Sequence, residues 1–315
     1  MKNLYVEAIR PGDPVDGVFA LSEKTVSVKK DGGSYLTLRL SDATGQMKAV
    51  MWDNVDQVKG AFGADDYVFV KGRASEYRGE LQVVVSAIGR VAPEQVDPAD
   101  FLPATGKDVA KMMESLRTLA ESVADPMVKE LLAAFFEDPE LAAEFPRAPA
   151  AKSMHHAYVG GLLEHTLSVT VLADMCSRHF AGLDRDLLLA GAVLHDVGKT
   201  RELSAKGKID YTNAGRLLSH IVLGVRIADR LLGKVPGFPE EKAMLIRHMI
   251  VSHHGLREFG SPEPPKTLEA LVLNLIDDLD AKVNGVRAFL AQSAEGDAWT
   301  AFHRLLERQF FKPNS

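Results

Sequence analysis

Two regimes of hydrophobic patterning divide the chain. Up to about residue 92 apolar residues come in short runs, Val15 to Leu21, Thr25 to Lys29, Tyr35 to Leu40, Gln46 to Trp52, Tyr67 to Ala74 and Leu81 to Val85, and over Thr25 to Lys29 and Tyr35 to Leu40 they alternate with polar ones. Period two is the signature of a strand with one buried face. Turn signals separate the runs, at Asp31-Gly32-Gly33, Ser41-Asp42-Ala43-Thr44-Gly45 and Tyr77-Arg78-Gly79-Glu80. Five or so short strands punctuated in this way predict a small all-β barrel. A linker over residues 93–106 follows, with Pro93, Pro98 and Pro103. Beyond it the apolar spacing changes to three and four, which predicts helices. They are expected over Val109 to Ser122, Pro126 to Phe136, Pro139 to Phe145, Tyr158 to Phe180, Asp184 to Val197, Ala214 to Leu232, Pro239 to Ser252 and Thr267 to Gln292. The expected organisation is multidomain: an all-β barrel over 1–92, the linker over 93–106, and an all-α helical bundle over 107–315.

Polar residues interrupt the helical pattern where it is most apolar. His195 and Asp196 end the run Leu187 to Leu194, and Asp277 follows Leu271-Val272-Leu273-Asn274-Leu275-Ile276. His253-His254 closes the helix that precedes it, and His165 and His220 lie within two others. An imidazole or carboxylate at the end of an apolar helix costs desolvation energy unless something satisfies it. A single buried histidine is more often a hydrogen-bonded core residue than a ligand. Seven such groups in one order argue for a shared ion. Imidazole and carboxylate are ligands for borderline and hard divalent cations. Seven exceed what one ion takes while leaving a position for water, and they suit two ions if one carboxylate bridges. Two-metal sites, with ions about 3.5–4 Å apart, are typical of phosphate-ester hydrolases.

Composition adds constraints. At 315 residues the length allows about two domains. The single cysteine, Cys176, rules out an intrachain disulfide and a thiolate metal site. The opening Met1-Lys2-Asn3-Leu4-Tyr5 has no signal-peptide core, no run approaches a membrane span, and the expected location is the cytoplasm. Net charge is −6, yet the first 92 residues carry 12 Lys and Arg against 12 Asp and Glu. All of the excess acidity therefore lies with the ligand-bearing half, where bound cations would offset it.

These residues also carry a resemblance. Gly160-Gly161-Leu162-Leu163-Glu164-His165-Thr166, Leu194-His195-Asp196-Val197-Gly198-Lys199 and Ile276-Asp277 look like the motifs of HD-domain metal-dependent phosphohydrolases, and His220, His253 and His254 match the two-metal branch. The N-terminal half resembles an OB-fold nucleic-acid-binding domain. An OB-fold followed by a two-metal HD domain resembles the YhaM-type 3′-5′ exoribonucleases over nearly the whole chain. Leu40-Ser41-Asp42-Ala43-Thr44-Gly45, Trp52-Asp53, Asp100-Phe101-Leu102-Pro103, Lys152-Ser153-Met154-His155-His156 and Glu258-Phe259-Gly260-Ser261-Pro262 are similar to that family too. The alternative is an HD-domain phosphohydrolase of nucleotides or cyclic dinucleotides. Gly255-Leu256-Arg257 lacks the Gly-Tyr-Pro of the cyclic-dinucleotide branch.

The resemblance implies a ligand set and a substrate. His165, His195, Asp196 and Asp277 would hold one ion, and Asp196 would bridge to a second held by His220, His253 and His254. Manganese is the expected metal, with iron as the second candidate. Asp196 and Lys199 form the catalytic pair, Lys199 holding the scissile phosphate or the leaving group. His155 and His156 precede the first ligand helix and are candidates for substrate contact. Asp280, three residues past Asp277, is a candidate support behind a ligand. In the barrel, Tyr35, Tyr77 and Arg78 are favoured to grip the strand, by stacking on bases and by charge. Phe19 and Phe69 read as core. The expected partner is single-stranded RNA, with single-stranded DNA as a second candidate, no membrane, and a homo-oligomer as a candidate assembly.

Overall fold

The period-two runs pair into a closed five-stranded barrel. A computed structural model describes residues 2–29, 32–77, 79–152, 156–292 and 298–313. Its strands β1 (Pro14–Val28), β2 (Ser34–Asp42), β3 (Gly45–Met51), β4 (Tyr67–Tyr77) and β5 (Glu80–Val91) close in the order β1-β2-β3-β5-β4. All neighbours are antiparallel except β3 and β5, which run parallel. A short helix, α1 (Val55–Val58), follows β3. Alternation along β2 puts Leu36, Leu38 and Leu40 inside, joined by Phe19, Leu21, Met47, Ala49, Val68, Val70 and Val83. Each fully buried side chain of this size contributes about 1.5–3 kcal/mol, enough to fix the register. The two runs expected over 15–21 and 25–29 are one strand, bent by a register shift between Leu21 and Glu23. A bulge of this kind lets one strand turn a barrel corner.

The period-3.6 runs form helices α2 (Val109–Glu121), α3 (Pro126–Glu137), α4 (Pro139–Glu144), α5 (Gly161–His179), α6 (Arg185–Leu194), α7 (Lys199–Glu202), α8 (Asn213–Leu232), α9 (Glu240–Ser252) and α10 (Leu268–Gln292). Aspartate caps start several of them: Asp108, Asp125, Asp138 and Asp184 each accept from backbone N–H groups of the first turn. In α6 every residue from Leu187 to Leu194 is buried. A helix apolar on all sides has to lie at the centre of its domain, and α6 packs against α3, α5, α9 and α10. Its C-terminal end therefore opens into the middle of the bundle.

Two features escaped the pattern. Between α7 and α8 the chain forms a hairpin, β6 (Leu203–Lys206) and β7 (Lys208–Tyr211). By its contacts Ser204–Asp210 groups with Met1–Gly106, and the second compact unit is Lys107–Leu203 with Tyr211–Ser315. The other is a break within α8 at Ser219, whose φ of 59° and ψ of 161° are not helical. No helix among the described residues is long and apolar enough to cross a membrane.

Candidate metal centre

Five helices bring the polar exceptions together. His165 comes from near the start of α5, and His195 and Asp196 from the end of α6. His220 lies in α8, His253 and His254 follow α9, and Asp277 lies in α10. Close backbone approach makes this convergence possible. A Cβ on Gly161 would stand 2.1 Å from the His156 carbonyl oxygen, and one on Gly198 would stand 2.0 Å from that of His220. Only glycine lets the turn after Asp196 lie on α8.

Asp196 is the hub, and its two oxygens face different groups. On the Oδ2 side lie His165 Nε2 and His195 Nε2, each at 3.5 Å, and the Lys199 ammonium, which donates to Oδ2 at 2.6 Å. Asp277 Oδ1 is 3.1 Å from His165 Nε2 and 3.8 Å from His195 Nε2. On the Oδ1 side lie His253 Nε2 at 3.5 Å and His220 Nε2 at 3.6 Å. The His254 ring stands beside both, with centroids 4.2 Å from His253 and 5.0 Å from His220. His165, His195 and Asp277 form one set whose ligand atoms lie within 4.8 Å of one another, and His220, His253 and His254 form another.

Four of the rings are held from behind at Nδ1. His195 Nδ1 bonds the Ala192 carbonyl at 2.8 Å, and His253 Nδ1 that of Ile250 at 2.7 Å. A carbonyl only accepts, so both Nδ1 atoms donate and both Nε2 atoms carry a lone pair when the ring is neutral. His165 Nδ1 bonds Asp280 Oδ2 at 2.8 Å, and His220 Nδ1 bonds Glu202 Oε1 at 3.0 Å. Partners of this kind, behind a ligating imidazole, fix the tautomer and the ring orientation.

The arrangement fits divalent cations. Among the described residues Asp196 Oδ1, His220 Nε2 and His253 Nε2 are buried with no hydrogen-bond partner, and three such atoms aimed together are costly unless a cation joins them. On the other side His165 Nε2 and His195 Nε2 stand 3.2 Å apart, lone pair toward lone pair unless a proton or an ion lies between. Charge follows the same demand. Burial works against a protonated His165, yet the carboxylates of Asp277 and Asp280 outweigh it and hold its pKa up at about 9. Burial would raise the Asp196 pKa, and the Lys199 ammonium with the His195 imidazole holds it well below the usual range. Lys199 answers in kind: burial opposes its charge and Asp196 keeps its pKa above the ordinary value. Positive charge is thus favoured on the Oδ2 side of Asp196, whereas on the Oδ1 side burial pushes the His253 pKa below its ordinary value despite Asp196.

The remaining candidates fall into place unevenly. His156 is buried, with Nδ1 against the Tyr158 hydroxyl at 2.9 Å and Nε2 against Asp280 Oδ2 at 3.1 Å, so both ring nitrogens are taken. His155 and Arg78 lie outside the described residues. In the barrel, Tyr35 stacks on Trp52 with centroids 4.9 Å apart and planes at 25°, and Trp52 is 44% exposed. Tyr77 is exposed at the β4–β5 turn, in a cleft shared with Lys48, Glu80 and Gln82. Phe19 is fully buried and Phe69 partly so. Glu202 behind His220, and Ser168, which donates to Asp280, were not foreseen. No periodicity marks Glu202, since Lys199, Thr200 and Arg201 before it are polar and its burial comes from α8.

Known proteins carry the same two parts. The HD domain family matches residues 162–282, and the OB-fold nucleic acid binding domain family matches residues 23–90. The 3'-5' exoribonuclease YhaM of Bacillus subtilis is 33% identical over 303 residues, spanning 96% of this chain and 96% of the relative. Its counterpart in Bacillus velezensis is 34% identical over 303 residues with the same coverage. That of a Geobacillus species is 33% identical over 304 residues, or 96% of this chain and 93% of the relative.

Proposed function

The chain belongs to the family of YhaM 3'-5' exoribonucleases, and from that premise we propose that it shortens single-stranded RNA from the 3′ end, with single-stranded DNA as a second substrate. It is a hydrolase that depends on divalent metal and acts on nucleic acid. Manganese is the metal we propose, with iron second, and the cytoplasm, where such RNA is met, is the setting. We assign residues 1–92 to strand binding and residues 107–315 to hydrolysis.

One observation carries the reading of the centre: the two oxygens of Asp196 face two separate groups of imidazoles whose Nε2 atoms point at them. His165, His195 and Asp277 with Asp196 Oδ2 would hold one ion, and His220, His253 and His254 with Oδ1 the other. Ions so held supply Lewis-acid chemistry, making water more acidic and drawing off charge from phosphoryl oxygens.

The chain's own residues do the rest. Asp280 and Glu202 keep the His165 and His220 rings turned inward, and the Ala192 and Ile250 carbonyls do the same for His195 and His253. Lys199 keeps a positive charge beside Asp196 Oδ2, where it can meet the scissile phosphate. In-line attack by water expels the 3′ oxygen, which takes a proton and stays on the shortened strand, so the released nucleotide carries a 5′-phosphate. On the barrel, Tyr35 and Tyr77 offer rings for bases, with Trp52 behind Tyr35, and Arg78 a charge for the backbone. His156 is better read as a support for Asp280 than as a substrate contact.

Labelled RNA tests the direction. Blocking the 3′ end should protect it while blocking the 5′ end should not, and the product should be nucleoside 5′-monophosphates. Cleavage of circular RNA as fast as linear RNA would make the chain an endonuclease and end this reading.

A further inference from the structure

Beside the Oδ1 group lies a cavity whose outer wall, Lys152 and Tyr211, the chemistry above leaves without a role. Its volume is ≈270 Å³, and Lys152, Lys199, Glu202, Tyr211, His220 and His254 line it. Pockets for drug-sized ligands begin at about 300 Å³, so this one takes a single small molecule, not a length of strand. Its walls differ in kind. Two imidazoles of the centre and the Lys199 ammonium form one part, which suits a phosphate. Tyr211, 44% exposed as a residue, forms another, and the Lys152 ammonium stands 5.8 Å from its ring centroid. A cation at that distance favours the ring face electrostatically and adds a second positive charge at the mouth.

The ring is also held on a stiff piece of backbone. Tyr211 ends β7, and the next residue, Thr212, caps α8: its hydroxyl accepts from Gly215 N–H at 2.9 Å and donates to the Arg201 carbonyl at 2.7 Å. Thr212 N–H bonds the Glu202 carbonyl at 2.9 Å. The same Glu202 holds His220 through its side chain. An exposed aromatic carried on backbone pinned beside the metal-capable cluster has less to order on binding, which favours affinity.

We propose that this cavity seats the nucleotide at the 3′ end of the strand, its base stacked on Tyr211 and its phosphate drawn by Lys152 toward His220 and His254. The proposal rests on the exonuclease reading and names the residues that recognise the terminal unit. A free phosphate would use the cations and imidazoles alone. The ring is what specifies a nucleotide. Stacking tolerates every base, as an enzyme that works through arbitrary sequence requires.

The test measures binding of adenosine 5′-monophosphate and of ribose 5-phosphate to the manganese-loaded full chain by calorimetry. Tyr211→Leu should weaken adenosine 5′-monophosphate by about fivefold to 150-fold, the span of one base stack, and leave ribose 5-phosphate unchanged. Tyr211→Phe keeps the ring and should stay within about twofold of the natural chain. Lys152→Gln should weaken both ligands by about tenfold. Retained ribose 5-phosphate binding shows that the Tyr211→Leu protein is folded. Unchanged adenosine 5′-monophosphate binding by Tyr211→Leu, or equal loss of both ligands, would overturn the proposal. The exonuclease reading is judged separately, by whether the natural chain releases nucleoside 5′-monophosphates from RNA, so either can fail while the other stands.

Discussion

The two sides of Asp196 are built to different rules. On the Oδ2 side protein charges already meet one another: Lys199 is bonded to the carboxylate and Asp277 faces His165. On the Oδ1 side three imidazoles gather with no second carboxylate among the described residues, and Glu202 is spent behind His220. All three orphaned atoms around Asp196 belong to the Oδ1 side. Carboxylate suits manganese better than imidazole does, so the group with a second carboxylate should hold the proposed ion harder. The Oδ2 group should therefore bind first and hold harder. The Oδ1 group, which lines the cavity, is the one left to exchange and to meet substrate.

The largest effect should come from the residue that the two sides share. Asp196→Asn removes the charge common to both groups and leaves Lys199 buried without its counterion. Hydrolysis of RNA should fall to background, and metal analysis should find fewer than one ion per chain. RNA binding should be largely kept, because the barrel's rings are untouched. An Asp196→Asn protein that still cleaves RNA at low metal concentration would remove Asp196 from the hub.

The next effect separates the sides. In a metal titration of the natural chain two steps are expected. Asp277→Asn should abolish the tighter step and His254→Gln the weaker one. Equal loss of both steps in each variant would show that the groups act as one site and that the difference between them has no consequence.

A smaller effect is expected behind His165. Asp280 bonds His165 Nδ1 and His156 Nε2, accepts from Ser168, and has its pKa held below the ordinary range by these neighbours despite burial. Removing a partner of this kind typically costs about 10–100-fold in metal affinity. Asp280→Asn should therefore weaken the tighter step by that amount and leave the weaker one where it was. A drop in the weaker step instead would place Asp280 with the wrong ion.

The same contrast explains what the sequence could reveal. Imidazoles and carboxylates inside apolar helices stand out, because burial makes them costly and so makes them informative. His195 after eight buried residues is visible from the pattern alone. The period-two runs likewise gave the barrel, since its inward face is uniformly apolar. Residues defined by contacts between distant segments were not visible. Glu202 acquires its partner from α8, and Tyr211 its place from a four-residue strand. On the barrel, a ring that stacks on RNA and a ring that fills a core are the same residue type, and only position tells Phe19 from Trp52. The break in α8 has no compositional sign either, because Ser219 is neither glycine nor proline.

That break supplies the smallest effect and the last contrast between the sides. His165 lies in an unbroken helix, whereas His220 directly follows Ser219, whose φ of 59° and ψ of 161° lie in a region essentially reserved for glycine. The turn lets both the backbone N–H and Nδ1 of His220 reach Glu202 Oε1, at 2.8 and 3.0 Å. A residue other than glycine held there costs about 1–3 kcal/mol. Ser219→Gly should recover that cost, less about 0.5–1 kcal/mol for the freer unfolded chain. The net gain of about 1 kcal/mol corresponds to a rise of about 2–4 °C in melting temperature for a domain of this size. Ser219→Ala, which keeps the Cβ, should bring no gain. Calorimetric melting of the two variants decides it: a destabilised Ser219→Gly protein would mean that the serine side chain holds the turn, and that the strain on the Oδ1 side is not what separates it from the other.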